Sequence, residues 1–313
     1  VDIGRGLVEK KVGRGAAASS MRYALRRILP NPGLFAALLK AGKAMRPLLP
    51  ASLQDEIPRP TQKSMPGRRQ LTMPALRQGR RMLVLEGCVQ SVATPATNAA
   101  AARVLDRLGI SLIHTAGAGC CGAMSHHLAA GDEALAFARR NIDAWWPQIE
   151  QGVEALVVTA SGCGAMIRDY GALLRDDPEY GPKGARIAEL MRDISQVVAQ
   201  ELAKSGVPQE RVVPGKARPR VAFHSPCTLQ HGLRIRGIIE RLLEGAGYTL
   251  ASVVDGHLCC GSGGSYSLLQ PAISRQLKAN RLAALQADGP DVIATANIGC
   301  LLHLASGTDR PVR

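Results

Sequence analysis

Eight cysteines stand at positions 88, 120, 121, 163, 227, 259, 260 and 300. They fall into two sets with one layout. Cys88 is followed after 31 residues by the adjacent pair Cys120–Cys121, and after 41 more by Cys163. Cys227 is followed after 31 residues by Cys259–Cys260, and after 39 more by Cys300. The first three positions recur at an offset of 139 and the fourth at 137. Thiolates ligate soft metals and attack disulfides, so the spacing must be tested against both chemistries. Disulfides fit poorly, because neighbours such as Cys120 and Cys121 cannot bridge each other without strain, and nothing in the opening residues reads as an export signal. A lone free cysteine is usually a small buried hydrophobe, but eight at repeated spacing are not explained that way. Four thiolates satisfy a tetrahedral zinc ion, although the usual Cys-x2-Cys knuckle is absent. Consecutive cysteines suit a polynuclear iron–sulfur cluster better, because neighbouring thiolates can reach neighbouring irons. Iron–sulfur ligation by all eight cysteines is therefore the preferred reading, with zinc in one site as the alternative.

The elements that must position these thiols repeat as well. Short apolar runs rich in Val, Ile and Leu predict buried parallel strands at 82–87, 110–114 and 155–160, and again at 220–224, 248–254 and 291–296. Helical patterns lie between them at 98–108, 132–146 and 233–243, and an amphipathic pattern covers 184–204. The alternation predicts an α/β protein of two tandem, pseudo-symmetric Rossmann-like repeats with parallel sheets, preceded by a basic helical and extended arm. The expected boundaries are 1–81 for the arm, 82–183 for the first repeat, 184–219 for a connecting helix and linker, and 220–313 for the second repeat. Every cysteine then falls beyond the carboxyl end of a strand, where open parallel sheets bind ligands.

Charge is concentrated outside the repeats. Residues 1–81 carry 17 Lys and Arg against 4 Asp and Glu, so nearly all of the net +14 belongs to the arm. Prolines at 30, 32, 47, 50, 58, 60, 66 and 74 predict that it is chopped into short helical and extended pieces. The arm reads first as a solvated linker and second as a contact for a partner or an anionic lipid surface. Nucleic acid is not expected, since only Tyr23 and Phe35 offer stacking faces there. No apolar run approaches the roughly 20 residues that span a bilayer.

Beyond the cysteines, LEGCVQ (85–90), TNAAAARVLDRLGI (97–110), GCCGA (119–123), NIDAWWP (141–147), TASGCGA (159–165), HSPCTLQH (224–231), HLCCGS (257–262), TANIGC (295–300) and HLASG (303–307) carry a resemblance. They are similar to the tandem CCG cysteine-rich domains of heterodisulfide reductase-like and lactate- or glycolate-oxidising electron-transfer subunits. More specifically, the chain resembles the iron–sulfur subunits of bacterial glycolate oxidase (glycolate dehydrogenase). The resemblance implies a [4Fe–4S] electron-transfer subunit that passes electrons from flavin-binding glycolate oxidase subunits toward a quinone-type acceptor, without oxidising glycolate itself. It implies a cytoplasmic location, with the inner face of the cell membrane as a candidate peripheral contact. A zinc-stabilised scaffold and a heterodisulfide reductase-like thiol-redox protein are the alternatives. The ferredoxin run Cys-x2-Cys-x2-Cys-x3-Cys-Pro of that family is absent here, so its ferredoxin module is expected outside these residues. Val1 in place of a Met start and the end at Arg313, soon after Cys300, predict truncation at both ends.

The family's broader pattern ends in Cys-x2-Cys, where this chain has Met166 after Cys163 and His303 after Cys300. His303 is thus a candidate further ligand, while Met166 is expected to pack. His224 and His257 lie close to Cys227 and Cys259, and the plainer expectation is that local backbone satisfies them. The glycines at 261, 263 and 264 predict a tight turn or a close backbone approach. No Ser-His-Asp set or carboxylate pair emerges, so hydrolytic chemistry has no support.

Overall fold

The computed structural model describes residues 2–46, 71–205 and 218–313. The arm's prolines at 47, 50, 58, 60 and 66, and most of the linker at 206–217, lie outside the described residues. The chain divides into two compact units. One contains 71–158 and 162–192 together with 1–38, and the other contains 193–313.

The first unit is built on strands β1 (Arg80–Val84), β2 (Ile110–Ile113), β3 (Leu156–Val158) and β4 (Met191–Asp193), in the spatial order β2-β1-β3-β4. β1 runs parallel to both neighbours, with Arg80 opposite Ile110 and Leu83 opposite Leu156. Leu83, Leu105, Ile110, Ile142, Trp145 and Leu156 are wholly buried around it. Continuous apolar strands belong to sheets covered on both faces, and the helices Ala96–Arg107 and Gly131–Glu150 supply buried residues to that cover. The second unit repeats the plan with β5 (Arg220–His224), β6 (Thr249–Leu250) and β7 (Val292–Thr295) in the order β6-β5-β7, all parallel. Beside β7, the segment Pro311–Arg313 forms a parallel bridge from Val312 to Ile293.

Four expectations need correction. The stretch 248–254 contributes only the two-residue β6. The helix expected at 233–243 begins at Ile238, because Arg234 and Gly237 have positive φ and a five-residue π turn occupies Thr228–Gly232. The amphipathic pattern at 184–204 is two helices, Tyr180–Leu190 and Ile194–Ser205, separated by β4. The break is a capping box. Asp193 Oδ1 accepts from Ser195 N at 2.9 Å, and Gln196 Oε1 accepts from Asp193 N at 3.1 Å. In the arm, the described part forms three full helices, Asp2–Lys11, Ala16–Ile28 and Pro32–Met45, longer than the expected fragments. Pro30 and Pro32 fall between helices or at a first helical position, where proline costs nothing. Leu25 is buried and Arg26 pairs with Glu133 at 2.9 Å, which anchors the second helix to the first unit. No described helix is long and apolar enough to cross a membrane.

The glycine after each cysteine pair locks the two halves into the same packing. Gly122 has φ +86° and Gly261 has φ +88°, a conformation that favours glycine. A Cβ on Gly122 would sit 3.0 Å from the Ala134 carbonyl oxygen, and one on Gly261 would sit 2.6 Å from that of Ser274. Each loop therefore lies against the backbone of a long helix, Gly131–Glu150 or Pro271–Gln286. Gly109 shares the positive φ but faces open space. Gly109→Ala is thus expected to cost about 1–2 kcal/mol from backbone strain alone, whereas Gly261→Ala adds steric overlap and should cost about 2–5 kcal/mol. Urea denaturation of the anaerobically purified protein checks this; equal losses would refute the close approach.

Candidate metal centres

In the first unit Cys88 follows β1 through Gly87, whose φ is +73°. Cys120 and Cys121 end the loop after β2, and Cys163 is the third residue of the helix Ser161–Arg168 after β3. In the second unit Cys227 follows β5, Cys259–Cys260 end the loop after β6, and Cys300 is the third residue of the helix Ile298–Ala305 after β7. Each set thus gathers at the carboxyl ends of its own three strands.

The sulfur contacts repeat. Cys88 Sγ lies 3.4 Å from Cys120 Sγ. Cys120 also interacts with Cys121, and Cys121 with Cys163. In the second set Cys227 interacts with Cys259, Cys259 with Cys260, and Cys260 with Cys300. The sulfurs of both halves therefore interact in the same order, with Cys88 and Cys120 in direct contact. All eight cysteines are free, and Cys120, Cys121, Cys260 and Cys300 are fully buried.

Electrostatics follow from the crowding. Two thiols donate to Cys120, holding it down to about 3, and two donate to Cys259, holding it down to about 2. The donors Cys88, Cys121, Cys227 and Cys260 are pushed far above the ordinary thiol range, by those hydrogen bonds and by burial. The first set thus has one lowered sulfur, whereas in the second Cys300 is lowered as well, to about 6, by Cys260 and by His224. Backbone amides add to this: Gly122 N–H points to Cys120 Sγ at 3.5 Å and Gly261 N–H to Cys259 Sγ at 3.3 Å. Four clustered sulfurs, partly buried and served by amide donors, fit a zinc ion or an iron–sulfur cluster equally in donor chemistry.

The surroundings of the two sets differ. Around the first they are neutral within the core. Asn141 donates from Nδ2 to the Cys120 carbonyl at 2.9 Å and to Tyr170 Oη at 3.1 Å, while its Oδ1 accepts from Gly119 N at 2.9 Å. Tyr170 Oη donates to the Cys121 carbonyl at 2.9 Å. The nearby cation, Arg140, is exposed and reaches the Cys120 carbonyl at 3.4 Å.

Around the second set, His224, Cys260 and Cys300 bring their ligand atoms within 4.8 Å of one another, all buried. His224 departs from its expectation: its partner is a side chain, Arg281, whose Nε donates to His224 Nδ1 at 3.0 Å. His303 is directed elsewhere, with Nε2 at 3.2 Å from Ser274 Oγ, and desolvation together with nearby Lys278 lowers it to about 4. His257 is not part of this group. Met166 is buried, as expected of a packing residue. Sequence reasoning gave no site role to Asn141, although it opens the NIDAWWP motif, nor to Tyr170 and Arg281, which no local motif marks.

Two parallel-sheet units, each presenting four cysteines at its carboxyl edge, define a tandem cysteine-rich domain protein. The chain belongs to the CCG cysteine-rich domain family, whose match covers residues 82–168 and 221–305. It is 46% identical over 313 residues to the "Glycolate oxidase iron-sulfur subunit" of Escherichia coli K12, covering all of this chain and 74% of that protein. It is 28% identical over 231 residues to the "Probable glycolate oxidase iron-sulfur subunit" of Bacillus subtilis 168, covering 74% of this chain and 50% of that one. A "Lactate utilization protein A" of Shouchella clausii is 24% identical over 224 residues, covering 71% of this chain and 89% of that one.

The neutral network gives a direct stability test. Asn141→Leu leaves the Gly119 N–H without its partner and the Cys120 carbonyl with only the longer Arg140 contact, and should cost about 3 kcal/mol, whereas Tyr170→Phe removes one hydroxyl and should cost about 1 kcal/mol. Denaturation midpoints of both variants against the parent decide it. A neutral Asn141→Leu would show that the network does not hold the Cys120–Cys121 loop.

Proposed function

We propose that this chain is an iron–sulfur electron-transfer subunit of a glycolate-oxidising complex. The carrying observation is the duplicated set of four sulfurs, supported by the similarity to glycolate oxidase iron–sulfur subunits. Cys88, Cys120, Cys121 and Cys163 would hold one centre, and Cys227, Cys259, Cys260 and Cys300 the other, with [4Fe–4S] as the preferred cofactor. An iron–sulfur cluster supplies one-electron chemistry that no protein side chain here offers. The residues of this chain bind and insulate. The cysteines ligate, Gly122 and Gly261 bring amide N–H donors to the sulfurs, and the apolar core beneath the strand ends keeps water from one side.

In this reading, flavin-binding subunits oxidise glycolate and electrons leave toward a quinone-type acceptor. The chain itself contacts no glycolate. It works in the cytoplasm, with a peripheral contact at the inner membrane face, and a ferredoxin module joins it in the assembled subunit.

Anaerobic reconstitution with iron and sulfide tests the reading. The protein should take up iron and sulfide together and develop the broad visible absorption of a cluster. The double variant Cys120→Ser/Cys121→Ser should lose about half of the iron, since one of two centres loses adjacent ligands. Uptake of zinc alone would replace the reading with a scaffold role. Eight titratable thiols with no metal would replace it with thiol-redox chemistry.

A further inference from the structure

The two halves can be aligned through the close approach of the equivalent glycines to their helices. Gly122 lies against Ala134 and Phe137, and Gly261 lies against Ser274 and Leu277. The helix Pro271–Gln286 therefore corresponds to Gly131–Glu150 at an offset of 140. Buried positions then match in series: Ala134 with Ser274, Ala138 with Lys278, Asn141 with Arg281, Ile142 with Leu282, and Trp145 with Leu285. On the central strands the cysteine offset of 139 matches Leu85 with His224, both buried. At three equivalent places, then, the first half has Leu85, Ala138 and Asn141 where the second has His224, Lys278 and Arg281.

Burying these groups is costly unless something compensates them. Lys278 Nζ donates to Ser306 Oγ at 2.9 Å. Arg281 spends Nε on His224 and Nη1 on the Asp255 carbonyl at 2.9 Å, but its Nη2 is buried without an oxygen or nitrogen partner. His224 Nε2 is likewise buried without any hydrogen-bond partner. Both groups lie beside sulfur: the His224 ring is grouped with the Cys260 and Cys300 sulfurs within 4.8 Å, and Arg281 feels the charge of Cys260 and Cys300.

The hydrogen-bond pattern decides what His224 can do. A neutral imidazole has one N–H and one acceptor nitrogen. Arg281 has only donors and stays charged, so Nδ1 must accept and Nε2 must carry the proton. A protonated Nε2 cannot ligate a metal, but it can donate to a thiolate.

From this geometry we infer that His224, fixed by the positioning residue Arg281, is an N–H···S donor to the Cys260–Cys300 side of the second centre and raises its reduction potential above that of the first. The inference rests on the iron–sulfur reading above and adds an ordering of the two centres to it. A donor to sulfur favours the more negative, reduced state of a cluster, and a nearby buried guanidinium acts in the same direction. Electrons would therefore settle on the second centre.

The full chain, reconstituted with iron and sulfide, is titrated with dithionite under electron paramagnetic resonance, alongside His224→Leu, His224→Gln and Arg281→Met. All three variants should keep the parental iron content. The higher of the two potentials should fall in His224→Leu by about tenfold in the reduction equilibrium, 59 mV for a one-electron couple. It should fall in Arg281→Met as well and be largely rescued in His224→Gln, which keeps an N–H, while the lower potential stays fixed. Loss of half the iron in His224→Leu would make His224 a ligand and overturn the inference. So would potentials that do not move. A second measurement is independent of iron: nitrogen-15 resonance of the zinc-loaded chain should show His224 as the Nε2–H tautomer in the parent. An Nδ1–H tautomer overturns the donor role even where the clusters form. Failure of the parent to take up iron and sulfide at all would instead overturn the proposed function, and the potential ordering with it.

Discussion

Four sulfurs gathered at one sheet edge, largely out of water, cannot all be thiolates. That constraint governs each half of the molecule. The set Cys88–Cys120–Cys121–Cys163 settles on one low-pKa sulfur flanked by thiols pushed up, and Cys227–Cys259–Cys260–Cys300 lowers both Cys259 and Cys300 around a Cys260 that is pushed up. A bound cation changes this balance by offsetting further negative charge, and so couples metal binding to folding of the loops that carry the cysteines. Parallel strands suit such a site because their carboxyl ends converge from distant parts of the sequence. The left-handed glycines at 122 and 261 then press the paired cysteines toward a long helix, leaving their sulfurs little freedom.

The duplication kept the sulfurs and changed what surrounds them. In the first half the loop carbonyls of Cys120 and Cys121 are held by Asn141 and Tyr170, whose hydrogen bonds close on themselves whatever charge the sulfurs carry. In the second half the place of Asn141 is taken by a guanidinium whose bonds end on an imidazole and a carbonyl, with one buried nitrogen left over. A neutral network can be complete without the metal; a buried cation cannot. The same fold thus supports one site whose scaffold is indifferent to the charge of its contents and another whose scaffold answers to it.

Much of this was legible in the sequence, for reasons that can be named. Cysteine spacing survives duplication, so the two sets and their strands stood out: β2, β3, β5 and β7 fall within the apolar runs expected of them, while β1 begins two residues before its run and ends three before the run's end. Periodicity failed where local capping overrode it. The 184–204 pattern is continuous in hydrophobicity, yet Asp193 and Gln196 form a capping box that starts a new helix, and the D-x-x-Q signal was there to be read. Shortened β6 shows the opposite error, since a run of suitable residues does not guarantee a pairing partner along its whole length. His224 was misjudged because its partner lies 57 residues further on, and nothing near it in sequence reveals a buried arginine.

A route to that pairing did exist. The cysteines align the halves at 139, but the helices align at 140, because the loop between Gly261 and the second helix carries one residue more than its counterpart. With the wrong register Arg281 falls opposite Ile142, and a buried charge replacing an aliphatic core residue looks improbable. With the right register it falls opposite Asn141, a polar residue already bonded to the cysteine loop. The substitution is then polar for polar at a position committed to the site in both halves. Repeats that diverge by single insertions must therefore be aligned on packing contacts, since it is contact with the sulfur-bearing loop, rather than distance along the chain, that duplication preserved.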